Sequence, residues 1–196
     1  MKQEETHPWK WFVPYDSKTL IIGTFPTAKR NWSYDFFYPN TANFFWEILA
    51  KIANTQLKCF SGEEAENERK KILQKLGVAV TDMGYKVIRN DGSSLDEKLV
   101  VVEYMDIFHI IKENPGINKL IFTSSSGNVS ASKWFVGFLK SRNILHKFPK
   151  GKKPLKSEIV INDKKVCLVI AYSPSRRAAN RISFNKLVEM YKNEIV

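Results

Sequence analysis

Side chains that could do chemistry are concentrated in three stretches, each following a short apolar run. The first spans residues 30–43 and contains five rings and three amides: Trp32, Tyr34, Phe36, Phe37, Tyr38, Asn31, Asn40 and Asn43. The second begins at Asp82, and the third is the serine- and arginine-rich stretch 173–180. Rings stack on flat ligands, amides and carboxylates bind polar edges or water, and arginines contact anions. The three stretches together predict a site built from loops.

The apolar runs that precede these stretches predict the elements that position them. Short buried strands are expected at residues 19–25, 78–82, 119–123 and 166–172, with 157–161 and 166–172 joined as a hairpin. Apolar spacing predicts helices from Phe45 to Ile52 and at 63–76, 95–112, 128–141 and 182–191, with a loop at 84–94. Strands that alternate with helices indicate an α/β fold, mostly parallel and covered on both faces. In such sheets the functional loops follow the carboxyl ends of the strands.

The positive charge of the chain is confined to one region. The formal net charge is +11, and residues 140–186 hold 13 basic residues against two acids, whereas the rest of the chain is balanced at 18 and 18. Lys150, Lys152 and Lys153 lie in its densest part. A basic face of this kind suits a polyanion such as nucleic acid, because bound lysines and arginines release condensed counterions. A solvated loop that only maintains solubility is the alternative.

Several classes of protein are disfavoured by what the sequence contains. Cys59 and Cys167 are 108 positions apart with no CxxC pair, and the three histidines, His7, His109 and His146, are scattered. We therefore predict neither a disulfide scaffold nor a metal site. The motifs GxGxxG, GxxxxGK[ST], GxSxG and HExxH do not occur. The sequence therefore gives no indication of the commonest classes of nucleotide-binding protein, hydrolase or metalloprotease.

Length and hydropathy set the remaining expectations. We predict a single domain over the 196 residues, with 1–17 as an N-terminal extension and 147–163 as a basic loop and hairpin insert. The longest strongly apolar stretch, 166–172, has seven residues, against roughly 20 needed to cross a bilayer. The N-terminus mixes charges of both signs and has no apolar core of a signal peptide. No membrane association and a cytoplasmic location are expected.

Four segments, in the order in which they occur along the chain, resemble the uracil-DNA glycosylase superfamily. Within this superfamily they are most similar to the hypoxanthine-DNA glycosylase and mismatch-specific branches. These segments are Leu20-Ile21-Ile22-Gly23-Thr24-Phe25-Pro26, Pro39 through Asn43-Phe44-Phe45-Trp46, Thr81-Asp82 with Asp91-Gly92-Ser93-Ser94-Leu95-Asp96, and Ser173-Pro174-Ser175 through Ala179-Asn180. The resemblance implies a three-layer sandwich with a central, mainly parallel four-stranded sheet. It also implies a monofunctional glycosylase that releases a flipped, deaminated base, hypoxanthine or uracil, from double-stranded DNA. Such an enzyme is expected to act as a monomer, without a cofactor or metal.

The resemblance also assigns catalytic candidates. Much of the superfamily has Asp or Asn directly before the proline of the first segment, where this chain has Phe25. The hypoxanthine branch looks instead to the asparagine before the Phe-Trp of the next helix, which maps to Asn43. Asn43 is therefore the candidate that orients water or contacts the base, with Asn40 in reserve. The alternative role for Asn43 is a helix cap.

The remaining candidates bind the base or the DNA. Phe25, Phe37 and Tyr38 compete to stack on the base, with core packing as the alternative, and Asp82 either faces the pocket or forms a turn. The resemblance assigns the DNA minor groove and phosphates to Ser173, Ser175, Arg176, Arg177 and Asn180, with Lys150, Lys152 and Lys153 extending the basic surface. The two arginines either fill the gap left by the flipped nucleotide or grip phosphates.

Two other functions fit the sequence. One is a glycosylase-like DNA-binding protein without activity, suggested by Phe25 at the position of a catalytic polar group. The other is an unrelated α/β enzyme for a phosphorylated small molecule, for which a crevice and a basic loop would also serve.

Overall fold

The computed structural model describes residues 2–41, 43–90, 93, 95–176 and 182–196. The strands are β1 (Lys2–Thr6), β2 (Thr19–Gly23), β3 (Val78–Asp82), β4 (Gly84–Asn90), β5 (Leu99–Tyr104), β6 (Lys119–Phe122), β7 (Leu155–Ile161) and β8 (Lys164–Ile170). The helices are α1 (Phe45–Ile52), α2 (Gly62–Leu76), α3 (Ile107–Glu113), α4 (Ala131–Ser141) and α5 (Phe184–Ile195).

The central sheet has the strand order β3-β2-β6-β8-β7. The first four strands are parallel, and β7 pairs antiparallel with β8. The sheet therefore has five strands where we expected four. The difference arises because the predicted hairpin does not stand apart from the sheet. Its first strand covers the edge of β8, which would otherwise expose unpaired backbone groups.

Both faces of this sheet are covered, so the central strands carry consecutive apolar residues, such as Leu20–Ile22 in β2 and Leu120–Phe122 in β6. Alternate side chains of β2 enter opposite layers, with Ile21 on one side and Leu20 and Ile22 on the other. Ile21 packs in the layer formed by α1, α2 and α5. Leu20 and Ile22 pack in the layer formed by α3, α4 and a second sheet. The expected three-layer architecture is therefore present.

The second sheet is antiparallel, with the order β1-β4-β5, and it overturns two local predictions. Residues 84–94 are not all loop, because β4 occupies 84–90, and 95–112 is not one helix, because β5 precedes the short α3. The β-branched run Val100-Val101-Val102 favours an extended strand. Val101 packs on the core, whereas Val100 and Val102 are each 52% exposed. The segment predicted as an N-terminal extension supplies β1.

The order of the parallel strands places a switch point at β2. The chain runs from β2 to β3 on one side and then crosses to β6 on the other. Loops that leave neighbouring strands in opposite directions open a crevice beyond their carboxyl ends. The crevice is therefore bordered by the loops that follow Gly23, Asp82 and Phe122. Among the described residues, no helix has the length and apolar character needed to span a membrane.

Candidate active site

Polar side chains join the two loops that leave β2 and β6. The hydroxyl oxygens of Thr24 and Ser124 are 2.9 Å apart, and the Tyr38 hydroxyl lies 3.1 Å from the Thr123 hydroxyl. Ser124 also accepts a hydrogen bond from the backbone N–H of Ala131, at the start of α4. These contacts hold the first aromatic stretch against the switch point, as the strand order predicts.

Gly23 ends β2 where two functional groups converge. A Cβ atom at this position would lie 2.0 Å from Asp82 Oδ1 and 2.9 Å from the Tyr38 hydroxyl oxygen. No side chain fits in this space. Asp82 Oδ1 and the Tyr38 hydroxyl therefore come together over the same backbone position, although they belong to different stretches of the sequence.

We expect Gly23→Ala to destabilise the protein by about 1–3 kcal/mol, because the added methyl group must displace the Asp82 carboxylate. Urea unfolding of the single variants Gly23→Ala and Asp82→Ala and of the double variant measures the coupling between them. The cost of Gly23→Ala should fall clearly when Asp82 is already alanine. An equal cost in both backgrounds would show that the carboxylate does not occupy this space.

The Asp82 carboxylate is paired with a residue that we did not predict. Asp82 Oδ2 lies 3.1 Å from Nε2 of His7, and both side chains are almost wholly buried. His7 follows β1 directly and is 75 positions from Asp82. The sequence carries no local signal of this pair, because the segment after β1 meets β3 only in the tertiary fold, where Phe12 and Val80 exchange backbone hydrogen bonds.

The three aromatic candidates are placed differently. Phe37 has no exposed surface and packs against His7 and Trp9. Phe25 is 8% exposed, and its ring meets His7 edge-on at 5.5 Å. Tyr38 is half-buried, and its ring stacks on Phe45 at 3.8 Å. Tyr38 thus presents more surface than the other two rings.

Asn43 lies next to the third stretch of candidates. It forms an isolated antiparallel bridge with Ser175, and the backbone N–H of Phe44 donates to the carbonyl of Pro174 at 2.8 Å. The Asn43 amide oxygen accepts the backbone N–H of Phe45 at 2.9 Å. The side chain therefore does cap the start of α1, and it does so beside the loop that follows β8. Asn40 is half-buried a short distance upstream.

The loop after β8 is ordered by local bonds. The Ser173 hydroxyl accepts the backbone N–H of Ser175. Arg176 donates to the carbonyl of Thr41 at 3.1 Å and to Glu47 at 2.8 Å, and its guanidinium stacks over Phe44. Arg176 thus engages the start of α1. The predicted DNA-binding residues Arg177 and Asn180 lie outside the described residues.

The basic loop reaches the same region. Lys150 and Lys152 are exposed, and Lys153 is half-buried with its ammonium 5.5 Å from the centre of the Tyr172 ring. Tyr172 immediately precedes Ser173. The lysine-rich loop and the serine-rich loop therefore lie next to each other.

A buried arginine that the sequence analysis missed fixes the loop after β2. Arg89 pairs with both carboxylate oxygens of Glu5, at 2.8 and 3.0 Å, and donates to the carbonyls of Pro26 and Ser93. Its guanidinium also lies 5.9 Å from the Phe25 ring centre. Arg89 therefore positions the Phe25-Pro26 turn from the second sheet.

Tyr34 supports the aromatic loop from within. Its hydroxyl donates to the Tyr38 carbonyl at 2.6 Å. Burial raises the pKa of Tyr34 from 10.0 to about 12, although the nearby Arg69 guanidinium opposes the rise. A neutral phenol is thus part of the folded state well above pH 10.

This raised pKa predicts a loss of stability at alkaline pH. Above pH 10 the unfolded chain releases the Tyr34 proton while the folded chain retains it, so unfolding becomes more favourable until the pH passes about 12. At pH 11 the contribution is about 1.4 kcal/mol. Urea unfolding of Tyr34→Phe and wild type should show the wild-type advantage shrinking by about this amount between pH 8 and pH 11. A constant difference would contradict it.

Among the described residues, no group of three or more histidine, cysteine, aspartate and glutamate side chains lies close enough together to hold an ion. The groups that the structure brings together are amides, hydroxyls, one buried carboxylate–imidazole pair and aromatic rings. Such groups orient water, bind a polar edge and stack on a planar ring.

The fold and this crevice define an α/β three-layer protein with a loop-built site at the carboxyl ends of parallel strands. One solved structure with this fold is a solution NMR structure from Methanosarcina acetivorans described as a "putative Uracil DNA glycosylase". The similarity has a TM-score of 0.60 and covers 98% of each chain at 16% sequence identity. At this identity the comparison establishes a shared fold. No protein-family model matches the chain, and no curated protein matches it either.

Proposed function

We propose that this protein is a monofunctional DNA glycosylase that hydrolyses the N-glycosidic bond of a flipped, deaminated base, hypoxanthine or uracil, in duplex DNA. One observation carries the proposal. The backbone of Asn43 forms a bridge with Ser175, so the residue that we assign to the water adjoins the loop that we assign to DNA. The shared fold with a protein described as a uracil DNA glycosylase and the resemblance of the four sequence segments support it.

The reaction needs opposite charges stabilised at its two ends. Positive charge develops on the sugar and negative charge on the departing base, so fixed dipoles must be aimed at both. The hydrogen bond from Phe45 fixes the plane of the Asn43 amide. The amide oxygen has a second lone pair and the NH₂ group has two hydrogens. We assign these groups to the attacking water or the base.

The base itself must leave the stack and enter a pocket. We assign its stacking surface to Tyr38 or Phe25, because the Phe37 ring is fully enclosed. Asp82 contacts the hydrogen-bonding edge of the base through the oxygen that lies over Gly23. These residues come from the loops after β2 and β3, which border the crevice.

We assign the DNA contacts to the lysine-rich loop and the serine-rich loop. Ser173 and Ser175 bond successive phosphates, and Lys150, Lys152, Lys153, Arg176, Arg177 and Asn180 complete the set. The ion pair of Arg176 with Glu47 is solvent-exposed, and breaking an exposed pair costs only about 0–1 kcal/mol. We propose that a phosphate replaces Glu47 as the partner of Arg176 while its contacts with the Thr41 carbonyl and the Phe44 ring hold the side chain in place. Binding should weaken steeply with salt.

The activity is tested with duplexes that each carry a single uracil, hypoxanthine, xanthine or G·T mismatch. Alkali-labile abasic sites should form at the uracil or the hypoxanthine and should disappear with Asn43→Ala. Unmodified duplex of the same sequence is the substrate control. If cleavage survives the loss of both Asn43 and Asn40, the assignment of the water-holding amide is wrong.

A DNA-binding protein without activity is the second candidate. Phe25 favours it, because this residue stands before Pro26 where much of the resembling family has a catalytic carboxylate or amide. Under this alternative, all four duplexes are bound tightly in low salt and none is cleaved, even with protein in excess.

A further inference from the structure

His7 reaches the crevice from the second sheet. Its backbone N–H donates to the carbonyl of Tyr85 at 2.7 Å, which anchors it directly after β1. From there its imidazole extends to Asp82, the last residue of β3. The second sheet therefore places one functional side chain at the carboxyl end of the central sheet.

Both nitrogens of the His7 ring have partners. Nε2 faces Asp82, and Nδ1 lies 2.7 Å from the carbonyl oxygen and 3.2 Å from the backbone nitrogen of Trp9. Trp9 thus offers an acceptor to a protonated Nδ1 and a donor to an unprotonated one. When Nδ1 accepts the Trp9 N–H, the ring hydrogen is on Nε2 and donates to Asp82 Oδ2.

Aromatic rings enclose this pair. The rings of Trp9, Phe25 and Phe37 lie 5.5–5.7 Å from the His7 ring centre. The His7 side chain has no exposed surface. An apolar surrounding strengthens a hydrogen bond and makes an unpaired polar group costly. The carboxylate is therefore held in one orientation.

The orientation leaves the two Asp82 oxygens with different roles. Oδ2 is committed to His7, whereas Oδ1 is directed over Gly23 beside the Tyr38 hydroxyl. An ionised carboxylate only accepts hydrogen bonds. Asp82 thus presents one acceptor oxygen over Gly23, and the hydrogen bond with His7 fixes its position.

Deamination changes a base in a way that such an acceptor detects. Conversion of cytosine to uracil, or of adenine to hypoxanthine, turns a ring nitrogen on the Watson–Crick edge from an acceptor into an N–H donor. The N–H of the deaminated base pairs with a fixed carboxylate oxygen, whereas the lone pair of the normal base faces it without a hydrogen. A buried polar group left unpaired in this way is strongly disfavoured.

We propose that His7 is a positioning residue that sets the substrate class. It holds Asp82 as a one-sided acceptor, and the pocket therefore takes bases that carry a ring N–H and rejects their amino precursors. This inference rests on the proposed glycosylase function. His7 itself does not touch the base.

The test compares rates on matched bases. Wild type, His7→Phe, His7→Gln and Asp82→Asn are assayed by single turnover on duplexes with uracil, 3-methyluracil or cytosine at one position, and with hypoxanthine or adenine. His7→Phe should reduce the rate ratio of uracil to 3-methyluracil by at least tenfold, because the carboxylate is no longer oriented. His7→Gln, which can still donate to Asp82, should restore most of the ratio. Asp82→Asn should lower the ratio of the rate on uracil to the rate on cytosine, because the amide NH₂ can donate a hydrogen bond to the ring nitrogen of cytosine.

His109→Phe is the matched control, because His109 is half-exposed on α3 and pairs with Glu113. It should leave every ratio unchanged. If His7→Phe slows all substrates equally with the ratios intact, or if His7→Gln behaves like His7→Phe, His7 is only structural and the inference is overturned while the glycosylase function stands.

A second measurement is independent of catalysis and of how the variants fold. In wild-type protein the ¹⁵N signals of the His7 ring are followed while free uracil or 3-methyluracil is added. Uracil should shift Nε2, because it binds the other oxygen of the same carboxylate, and 3-methyluracil should not. Equal shifts, or none with uracil, would overturn the inference. A wild type that releases no base from any duplex would instead refute the proposed function.

Discussion

Asn43→Ser should lower the rate of base release by on the order of 10²–10⁴-fold, the range for loss of a group that positions or activates the reacting water. Its stability should change little. Serine is chosen because the Asn43 amide oxygen accepts the Phe45 N–H at the start of α1, apart from the catalytic role that we propose for the residue. A serine hydroxyl can accept that bond, but it lacks the amide that we assign to the water.

Two companion variants separate the roles of Asn43. Asn43→Ala removes both the cap and the amide, so it should lose the same activity and in addition about 0.5–2 kcal/mol of stability. Asn40→Ala is the matched loss of a neighbouring amide and should retain activity. Rates are measured in single turnover and stability by urea unfolding. An active Asn43→Ser together with an inactive Asn40→Ala would transfer the catalytic assignment to Asn40.

Arg89→Ala should destabilise the protein by about 3 kcal/mol, the lower end of the range for removing one partner of a buried ion pair, because Arg89 is buried but Glu5 is a quarter exposed. Arg89 is 1% exposed and holds Glu5 with two hydrogen bonds and the carbonyls of Pro26 and Ser93 with one each. Its loss removes the donor from the Pro26 and Ser93 carbonyls and the partner from the Glu5 carboxylate. Because Pro26 follows Phe25, base release should fall as well, even where the variant remains folded.

Arg142→Ala is the matched control for this prediction. Arg142 also forms an arginine–carboxylate pair, with Asp106, but that pair is solvent-exposed. Its removal should cost no more than about 1 kcal/mol. Chemical unfolding followed by circular dichroism measures both variants. Equal costs would mean that the Arg89 network does not support the loop after β2.

The central sheet was predictable because local chemistry agrees with its tertiary role. The bounds predicted for the second parallel strand, 78–82, are those of β3. This strand begins with the apolar run Val78-Ala79-Val80, and all five of its residues are buried, as in a strand covered on both faces. The end of α2 was predictable for a similar reason, because Gly77 adopts the left-handed conformation that closes a helix.

The second sheet was not predictable from the same patterns. Its middle strand β4 mixes lysine, arginine and valine, and its edge strand β5 has valines on both faces. Neither strand shows the strict alternation of a half-buried strand. We predicted one helix over 95–112 from the spacing of its apolar residues, and the α-helix in this region is α3, from Ile107 to Glu113. Such cases are decided by backbone hydrogen bonding between β-strands, and a short stretch of sequence does not show which strands will pair.

The candidate site divides in the same way. Some positions are expected from the order of the elements. Asp82 ends β3, the loop with Ser173 and Ser175 follows β8, and Asn43 lies just before α1. His7 and Arg89 act across 75 and 84 positions through contacts of the second sheet. Nothing in their immediate sequence distinguishes them from surface residues.

The most direct test of the account is single-turnover incubation in H₂¹⁸O with protein in excess over duplexes that carry one uracil or one hypoxanthine, analysed by mass spectrometry. We expect the free base without label and an abasic sugar with a single ¹⁸O atom, since water attacks the sugar carbon. The Asn43→Ser protein should yield neither product over the same time. Intact duplexes after prolonged incubation with folded, DNA-bound wild-type protein would contradict the account.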